Sequence, residues 1–370
     1  MTIDPTRLAD LDLYDPEAPN AADRLELLQY LISLGACEED LLAYRDQLAG
    51  LASVLALRGG RALTLAEVVE RSGAPEEKLR RLNRAAGFPD PGPEDRVFSE
   101  QFGDLLGLIT AAEAVFGEET VLQLIRVMGS SMARAADAVV SAFLVNVEPA
   151  ARDADPGLGI ARANADAAAL VPGVASALDV LFRQHVVAAR RSGLGVDADA
   201  GFETQQMSVG FVDLVDSTAL AQQLETRELG TALTDFENIA ADTITAHGGR
   251  VVKLIGDEVL FTAPTEPTAA AIAARLVDAY RDHPALPEVR AGLASGEVLL
   301  RDGDVFGPVV NLAARAVKTA EPSEIVAPDS FAQAADIAAE PIGPTELKGL
   351  EAPVVLSRLI DPRAPDTPRV

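Results

Sequence analysis

Cysteine is nearly absent from this chain: Cys37 is the only one among 370 residues. A single thiol excludes an intrachain disulfide and any zinc site built from clustered cysteines, and it fits a reducing compartment. Positive charge is also scarce. The 31 Lys and Arg are outnumbered by 57 Asp and Glu, and the net charge of −26 opposes general attraction to nucleic acid or anionic lipid, both of which are polyanions. Long apolar runs are likewise missing, since no stretch approaches the roughly 20 apolar residues that span a bilayer. The acidic start, MTIDPTRLADLDLYDPEAP, lacks the basic and then apolar order of a signal peptide. These absences predict a cytoplasmic protein with no membrane partner, and they argue against a nucleic-acid partner.

What is present suffices for a sizeable core. Apolar residues make up 48% of the chain and charged ones 24%, as in ordinary folded proteins, and the length suggests two domains at roughly 100 to 200 residues each. Through the first 200 residues, apolar positions recur at spacings of three and four, the period of helices. The segment Arg183–Gln206 loses that period after Ala189 and collects Gly193, Gly195, Gly201, Asp197 and Asp199, which sets a boundary near residue 200. Residues 1–200 are thus predicted to form an all-helical regulatory or dimerisation domain with its linker. Residues 201–370 read as mixed α/β, with strand runs at Ser208–Val212, Arg250–Ile255 and Val289–Leu293 and helices at 217–247, 265–282 and 308–320. Each half carries a net charge of −13, so charge does not separate them.

In the first half, Thr64 with Glu67 three residues on has the capping-box spacing, which predicts a helix over Leu65–Ser72. Gly73-Ala74-Pro75 then breaks the chain, and a second helix follows with Gly87 as its stop. Two short helices across a tight turn resemble a DNA-binding helix-turn-helix, with Lys78, Arg80, Arg81 and Arg84 on the second. Residues 51–100 hold eight basic and eight acidic groups, so the local charge cancels and a helical hairpin inside a bundle is the favoured reading. Longer helices with wide apolar faces are expected at Leu105–Met128 and Met132–Val145.

The chemistry-bearing signals lie in the second half. Phe211-Val212-Asp213-Leu214-Val215-Asp216-Ser217-Thr218 is an apolar strand that ends on a carboxylate and runs into a helix. Such a junction can cradle phosphate on backbone N–H groups while the carboxylate holds a divalent cation, although an Asp there can also serve only as a cap. In Lys253-Leu254-Ile255-Gly256-Asp257-Glu258, two apolar runs flank a tight turn that puts Asp257 at a hairpin tip. Gly303-Asp304-Val305-Phe306-Gly307-Pro308 then leads into a helix where Asn311 and Arg315, four apart, share a face. Glu346-Leu347-Lys348-Gly349-Leu350 places a Lys before the final strand.

In order and spacing, FVDLVDST, KLIGDE, RAGLASGEV, DVFGPVVNLAAR and ELKGL resemble the class III nucleotidyl cyclases, specifically actinobacterial adenylyl cyclases with an N-terminal helical regulatory domain. The resemblance is strong over 208–360 and weaker before it. It implies a dimeric α+β catalytic domain, with a ferredoxin-like sheet covered by helices, that converts ATP to cyclic AMP and pyrophosphate. It further implies two Mg²⁺ or Mn²⁺ ions on Asp213 and Asp257 and adenine selection by Lys253 and Asp304. Asn311 would orient the ribose, Arg315 would stabilise the transition-state phosphate, and Lys348 would reach the terminal phosphates. Phe211, Val215 and Thr218 are substrate-binding candidates on the same strand and turn. A donor-only Lys beside an acceptor-only Asp suits adenine's N1 and N6, whereas a GTP cyclase needs the reverse. Because the family draws the two sets of residues from two chains, a homodimer with two equivalent sites is implied.

Where many members have Gly-Phe, this chain has Asp216-Ser217, which puts an extra carboxylate near the phosphate turn. Only three histidines are present, His185, His247 and His283, and His185 near the domain boundary is a candidate for pH control. The alternative function is a non-catalytic nucleotide-binding signalling protein whose helical half binds DNA or protein.

Overall fold

The computed structural model describes residues 4–58, 62–192, 203–346 and 352–360. The chain divides into two compact units, Met1–Ala188 and Ala189–Val370.

Among its described residues the first unit is helical apart from a single bridge between Leu63 and Phe98. One core gathers Leu28, Leu31, Leu41, Leu51 and Ala161, and another Leu79, Leu82, Ile109 and Leu122. Helix Leu65–Ser72 starts on the expected capping box: the Glu67 amide donates to Thr64 Oγ1 at 3.2 Å, and the Thr64 amide donates to Glu67 Oε2 at 2.9 Å. It stops at Gly73, whose φ of 67° is the left-handed conformation glycine adopts without strain. The next helix, Glu76–Ala85, offers no free basic face. Lys78 is bound by Glu113, Arg80 by Glu76, Arg81 by Glu118 and Glu119, and Arg84 by Glu77 and Asp90.

One expectation for this unit is corrected. The two long helices run Phe102–Phe116 and Glu118–Asn146 and break at Gly117 (φ 83°), not near residue 130. Gly129 lies inside the second of them because a Cβ there would come within 2.4 Å of the Ala86 carbonyl oxygen; it permits close packing rather than a turn. Leu158–Arg190 is long and apolar enough to cross a membrane by length and composition, with a mean hydropathy of 1.5 and only 6% of that window buried. Charged residues interrupt the run, and the span comprises two helices, Leu158–Ala168 and Val171–Ser192. His185 is exposed on helix Val171–Ser192.

The second unit is built on eight strands: β1 (Glu203–Leu214), β2 (Arg250–Ile255), β3 (Glu258–Ala263), β4 (Val289–Arg301), β5 (Asp304–Phe306), β6 (Ile325–Pro328), β7 (Ala339–Thr345) and β8 (Val354–Leu359). The sheet order is β2-β3-β1-β4-β6-β8-β7, with β5 folded back on β4. Among the described strands only β4 and β6 pair in parallel, so the sheet is mixed. Helix Thr226–Ala246 follows β1 and helix Glu266–Arg281 follows β3, giving the βαββαβ, ferredoxin-like arrangement. The predicted 217–247 helix is in fact two, Ser217–Gln223 and Thr226–Ala246, because Leu224 is extended and Glu225 with Glu228 forms a capping box that starts the second.

Alternation along β1 sends Val212 and Leu214 to one face, under Phe236, Ile272 and Tyr280, and Phe211 to the other, under helix Pro308–Thr319. That helix sits directly on β4. A Cβ at Gly292 would lie 2.1 Å from the Val317 nitrogen and 2.5 Å from the Ala313 oxygen, so only glycine allows the approach.

Candidate active site

Asp213, the penultimate residue of β1, is 4% exposed. It pairs across the sheet with Glu258 on one side and Arg290 on the other. The described contacts converge on its Oδ2, which accepts from Arg290 Nε at 2.9 Å and Nη2 at 2.7 Å. Lys318 Nζ, from the last turn of helix Pro308–Thr319, lies 3.1 Å from the same oxygen.

The β2–β3 turn, with Gly256 at φ 64°, carries Asp257 as expected. The Leu214 amide donates to the Asp257 carbonyl at 3.1 Å, which ties the hairpin tip to the end of β1. Ser217 Oγ donates to Asp257 Oδ2. Asp213 and Asp257 therefore line one cleft of about 490 Å³, together with Asp216, Ser217, Thr218, Gln222, Arg290 and Lys318. Asp216 takes φ 54° ahead of helix Ser217–Gln223 and is exposed. Beside them, Glu258 Oε1 is buried without a hydrogen-bond partner among the described residues, 3.5 Å from Lys318 Nζ. Burial pushes the Glu258 carboxyl above its ordinary range; Lys318 pulls it back, and Asp213 and Asp257 add to the rise.

The other predicted residues lie outside that lining. Lys253 on β2 meets Asp304 at the start of β5, Nζ to Oδ2 at 2.5 Å. The hairpin that delivers Asp304 turns through Asp302 (φ 58°) and Gly303 (φ 81°), and Arg250 Nη2 donates to the Gly303 carbonyl at 2.6 Å. Asn311 is exposed in helix Pro308–Thr319, while Arg315, one turn on, is half-buried with Nη1 lacking a hydrogen-bond partner among the described residues.

Two substrate-binding candidates, Phe211 and Val215, do not line this cleft. Phe211 is 5% exposed and packs among Val209, Leu260 and Ala294 beneath the helix, because two residues before Asp213 the side chain on this face is roofed by helix Pro308–Thr319. The Val215 amide is spent on the Glu288 carbonyl at 3.0 Å, and Val215 does not line the cleft. Thr218 does line it. Lys348 lies outside the described residues.

The sequence reading missed Arg290, Lys318 and Glu258. Lys318 alone had a local signal, since 311, 315 and 318 follow the i, i+4, i+7 spacing of one helix face. Arg290 and Glu258 owe their places to strand register, which no local spacing announces.

The donor chemistry of the cleft suits a hard cation. Asp213 and Asp257 offer carboxylate oxygens, the ligands Mg²⁺ and Mn²⁺ prefer. Among the described residues no three His, Cys, Asp or Glu side chains gather to hold an ion unaided. The pair therefore fits an ion that shares its coordination with substrate oxygens, the usual mode for Mg²⁺ with phosphates.

A family profile described as "Adenylate cyclase regulatory domain" matches residues 9–189, and one described as "Adenylate and Guanylate cyclase catalytic domain" matches residues 202–356. A Mycobacterium tuberculosis protein named as uncharacterized is 36% identical over 355 residues, covering 94% of this chain and 93% of its own. An adenylate cyclase of Streptomyces coelicolor is 33% identical over 341 residues, covering 90% of this chain and 83% of its own. A "pH-sensitive adenylate cyclase" of Mycobacterium tuberculosis is 28% identical over 357 residues, covering 91% and 88%. With a helical unit before a ferredoxin-like sheet, two carboxylates on one cleft and relatives aligned along nearly the whole chain, this protein belongs to the adenylate cyclases that join an N-terminal regulatory domain to the class III catalytic domain.

Proposed function

We propose that the protein converts ATP to 3′,5′-cyclic AMP and pyrophosphate in the cleft of Asp213 and Asp257, as a homodimer under control of its helical half. The observation that carries this reading is the convergence of those two carboxylates, held together by the Leu214–Asp257 backbone bond. They would hold two Mg²⁺ or Mn²⁺ ions. When bound, such ions lower the pKa of the ribose 3′-hydroxyl and offset the charge of the polyphosphate.

The remaining roles fall to the chain's own groups. Lys253 would donate to adenine N1 and Asp304 would accept from N6; their mutual contact in the absence of a base keeps donor and acceptor side by side. Asn311 would orient the ribose. Arg315 would bring its unpartnered Nη1 to charge developing on the transferring phosphate, a task suited to the guanidinium fork. Lys348 would reach the terminal phosphates. Since Lys253, Asp304, Asn311 and Arg315 do not line the cleft of their own chain, a second copy would supply them, and two-fold symmetry would make two such sites. Thr218 would contact substrate from the cleft wall. The lone cysteine fits a cytoplasmic location.

The test is cyclic AMP formation from ATP with Mn²⁺ or Mg²⁺. Wild-type protein should make it, and the Lys253→Ala/Asp304→Ala double variant should not. An equal mixture of Asp213→Ala and Arg315→Ala chains should regain about a quarter of wild-type activity, because half the dimers would hold one intact site of two. Folded, dimeric wild-type protein that makes no cyclic AMP would refute the reading.

A further inference from the structure

We infer that Lys318 is a tethered counter-cation for the metal site: its ammonium neutralises Asp213 while the cleft holds no divalent ion and withdraws when one binds, so that it sets the ion affinity of the site. The inference rests on the reading of Asp213 as a metal ligand.

Two cations touch Asp213 Oδ2, and they differ in freedom. Arg290 stands on β4 directly across from Asp213 and holds the oxygen through two N–H groups. Its place follows from the strand pairing, and its side chain is 27% exposed. Lys318 reaches in from a helix end on a four-carbon stem, is 54% exposed and makes one contact of 3.1 Å. An ammonium on such a stem can move several ångströms by rotamer change alone.

A destination is already in place. Glu258 Oε1 is buried, lacks a hydrogen-bond partner among the described residues and lies 3.5 Å from Lys318 Nζ. A divalent ion at Asp213 would repel the ammonium, and a short swing towards Glu258 would keep that charge paired. Lys318 would thus spare the metal-free protein a buried, under-neutralised carboxylate, at the cost of weaker ion binding. It acts through Asp213 and is a positioning residue.

The full chain serves for the test. Mn²⁺ binding without nucleotide is followed by titration calorimetry for wild type, Lys318→Gln and Lys318→Arg. Lys318→Gln should bind about three- to tenfold tighter, the scale of one partly exposed charge contact, and Lys318→Arg should not tighten. As a second readout, acetylation of Lys318 by a water-soluble acylating reagent, scored by peptide mass, should rise several-fold with saturating Mg²⁺ in wild type but not in Asp213→Asn. Equal Mn²⁺ affinity of wild type and Lys318→Gln, acetylation indifferent to Mg²⁺, or no measurable binding in any chain would overturn the inference. If the protein makes no cyclic AMP but Lys318→Gln still tightens binding, the exchange stands and the cyclase reading falls. Normal cyclic AMP production with unchanged affinity and labelling removes the exchange alone.

Discussion

Replacing Gly292 by alanine tests whether the seat of helix Pro308–Thr319 on β4 sets the geometry of the site. The added Cβ would stand 2.1 Å from the Val317 nitrogen and 2.5 Å from the Ala313 oxygen, and ordinary contact begins at 3.4 Å. Both obstacles are backbone, so no rotamer change relieves them and the helix must retreat by about 1.3 Å, the shortfall against that contact distance. Ala313 and Val317 are fully buried against Val209, Ala294 and Val298, so the retreat loosens a packed layer. Overpacking of this kind costs about 1–3 kcal/mol, and a backbone clash belongs at the upper end. At about 2–4 °C per kcal/mol for a unit of this size, the melting temperature should fall by about 5–10 °C. Asn311 and Arg315 move with the helix, and a misplacement of about 1 Å can cost on the order of 10²-fold in rate. Calorimetric melting and cyclic AMP formation would be measured together, with Gly230→Ala as control. Gly230 sits in helix Thr226–Ala246 with open space where its Cβ would be, so that variant should keep its rate and gain about 0.5–1 kcal/mol. A Gly292→Ala protein that melts like wild type would refute the steric argument, and one that melts early but turns over at the wild-type rate would refute the link from helix seat to catalysis.

Two further outcomes concern ionisation. Burial holds the Glu258 carboxyl above its ordinary pKa, so the folded chain binds that proton more tightly than the unfolded one, and the associated stability is present in acid and lost as pH rises through the carboxylate range. Glu258→Gln should therefore melt above wild type at about pH 7, with the gap closing at about pH 4; a gap independent of pH would count against the assignment. Although the Cys37 residue is exposed, partial burial of its thiol, with hydrogen bonding to Glu39 and contact with Asp40, pushes it up to about 11. Iodoacetamide should alkylate it on the order of 10²-fold more slowly at neutral pH than a cysteine in a short peptide, with the rate climbing steeply above about pH 9; equal rates would show an unperturbed thiol.

The parts of the fold that were legible are those written in local chemistry. Thr64 and Glu67 announce a helix start by their own hydrogen bonds, Gly256-Asp257 announces a turn, and Asn311 and Arg315 share a face by spacing alone. What stayed hidden depended on pairing at a distance. Arg290 meets Asp213 from 77 positions away, and only the register of β1 against β4 brings them together. Gly129 resembles a helix break in sequence, and only the backbone of Ala86 beside it explains why the helix continues. The stop at Leu224 was masked because the residues around it keep a helical apolar pattern, while the cap made by Glu225 and Glu228 uses a Glu where Ser, Thr, Asp or Asn is customary. Phe211 shows the opposite case: its neighbours in sequence line the cleft, while its neighbours in space are core residues.

The long strand β4 also has a bearing on how such a chain can diverge. Arg290 faces Asp213 near one end, and Arg301 pairs with Asp304 at the other. Between them the side chains alternate faces with a period of two, so losing or gaining one residue would turn one end's set to the wrong side of the sheet. No single substitution undoes such a slip. Descent can therefore rewrite the residues of this stretch while their number stays constant, and changes of length are tolerated only beyond the paired ends.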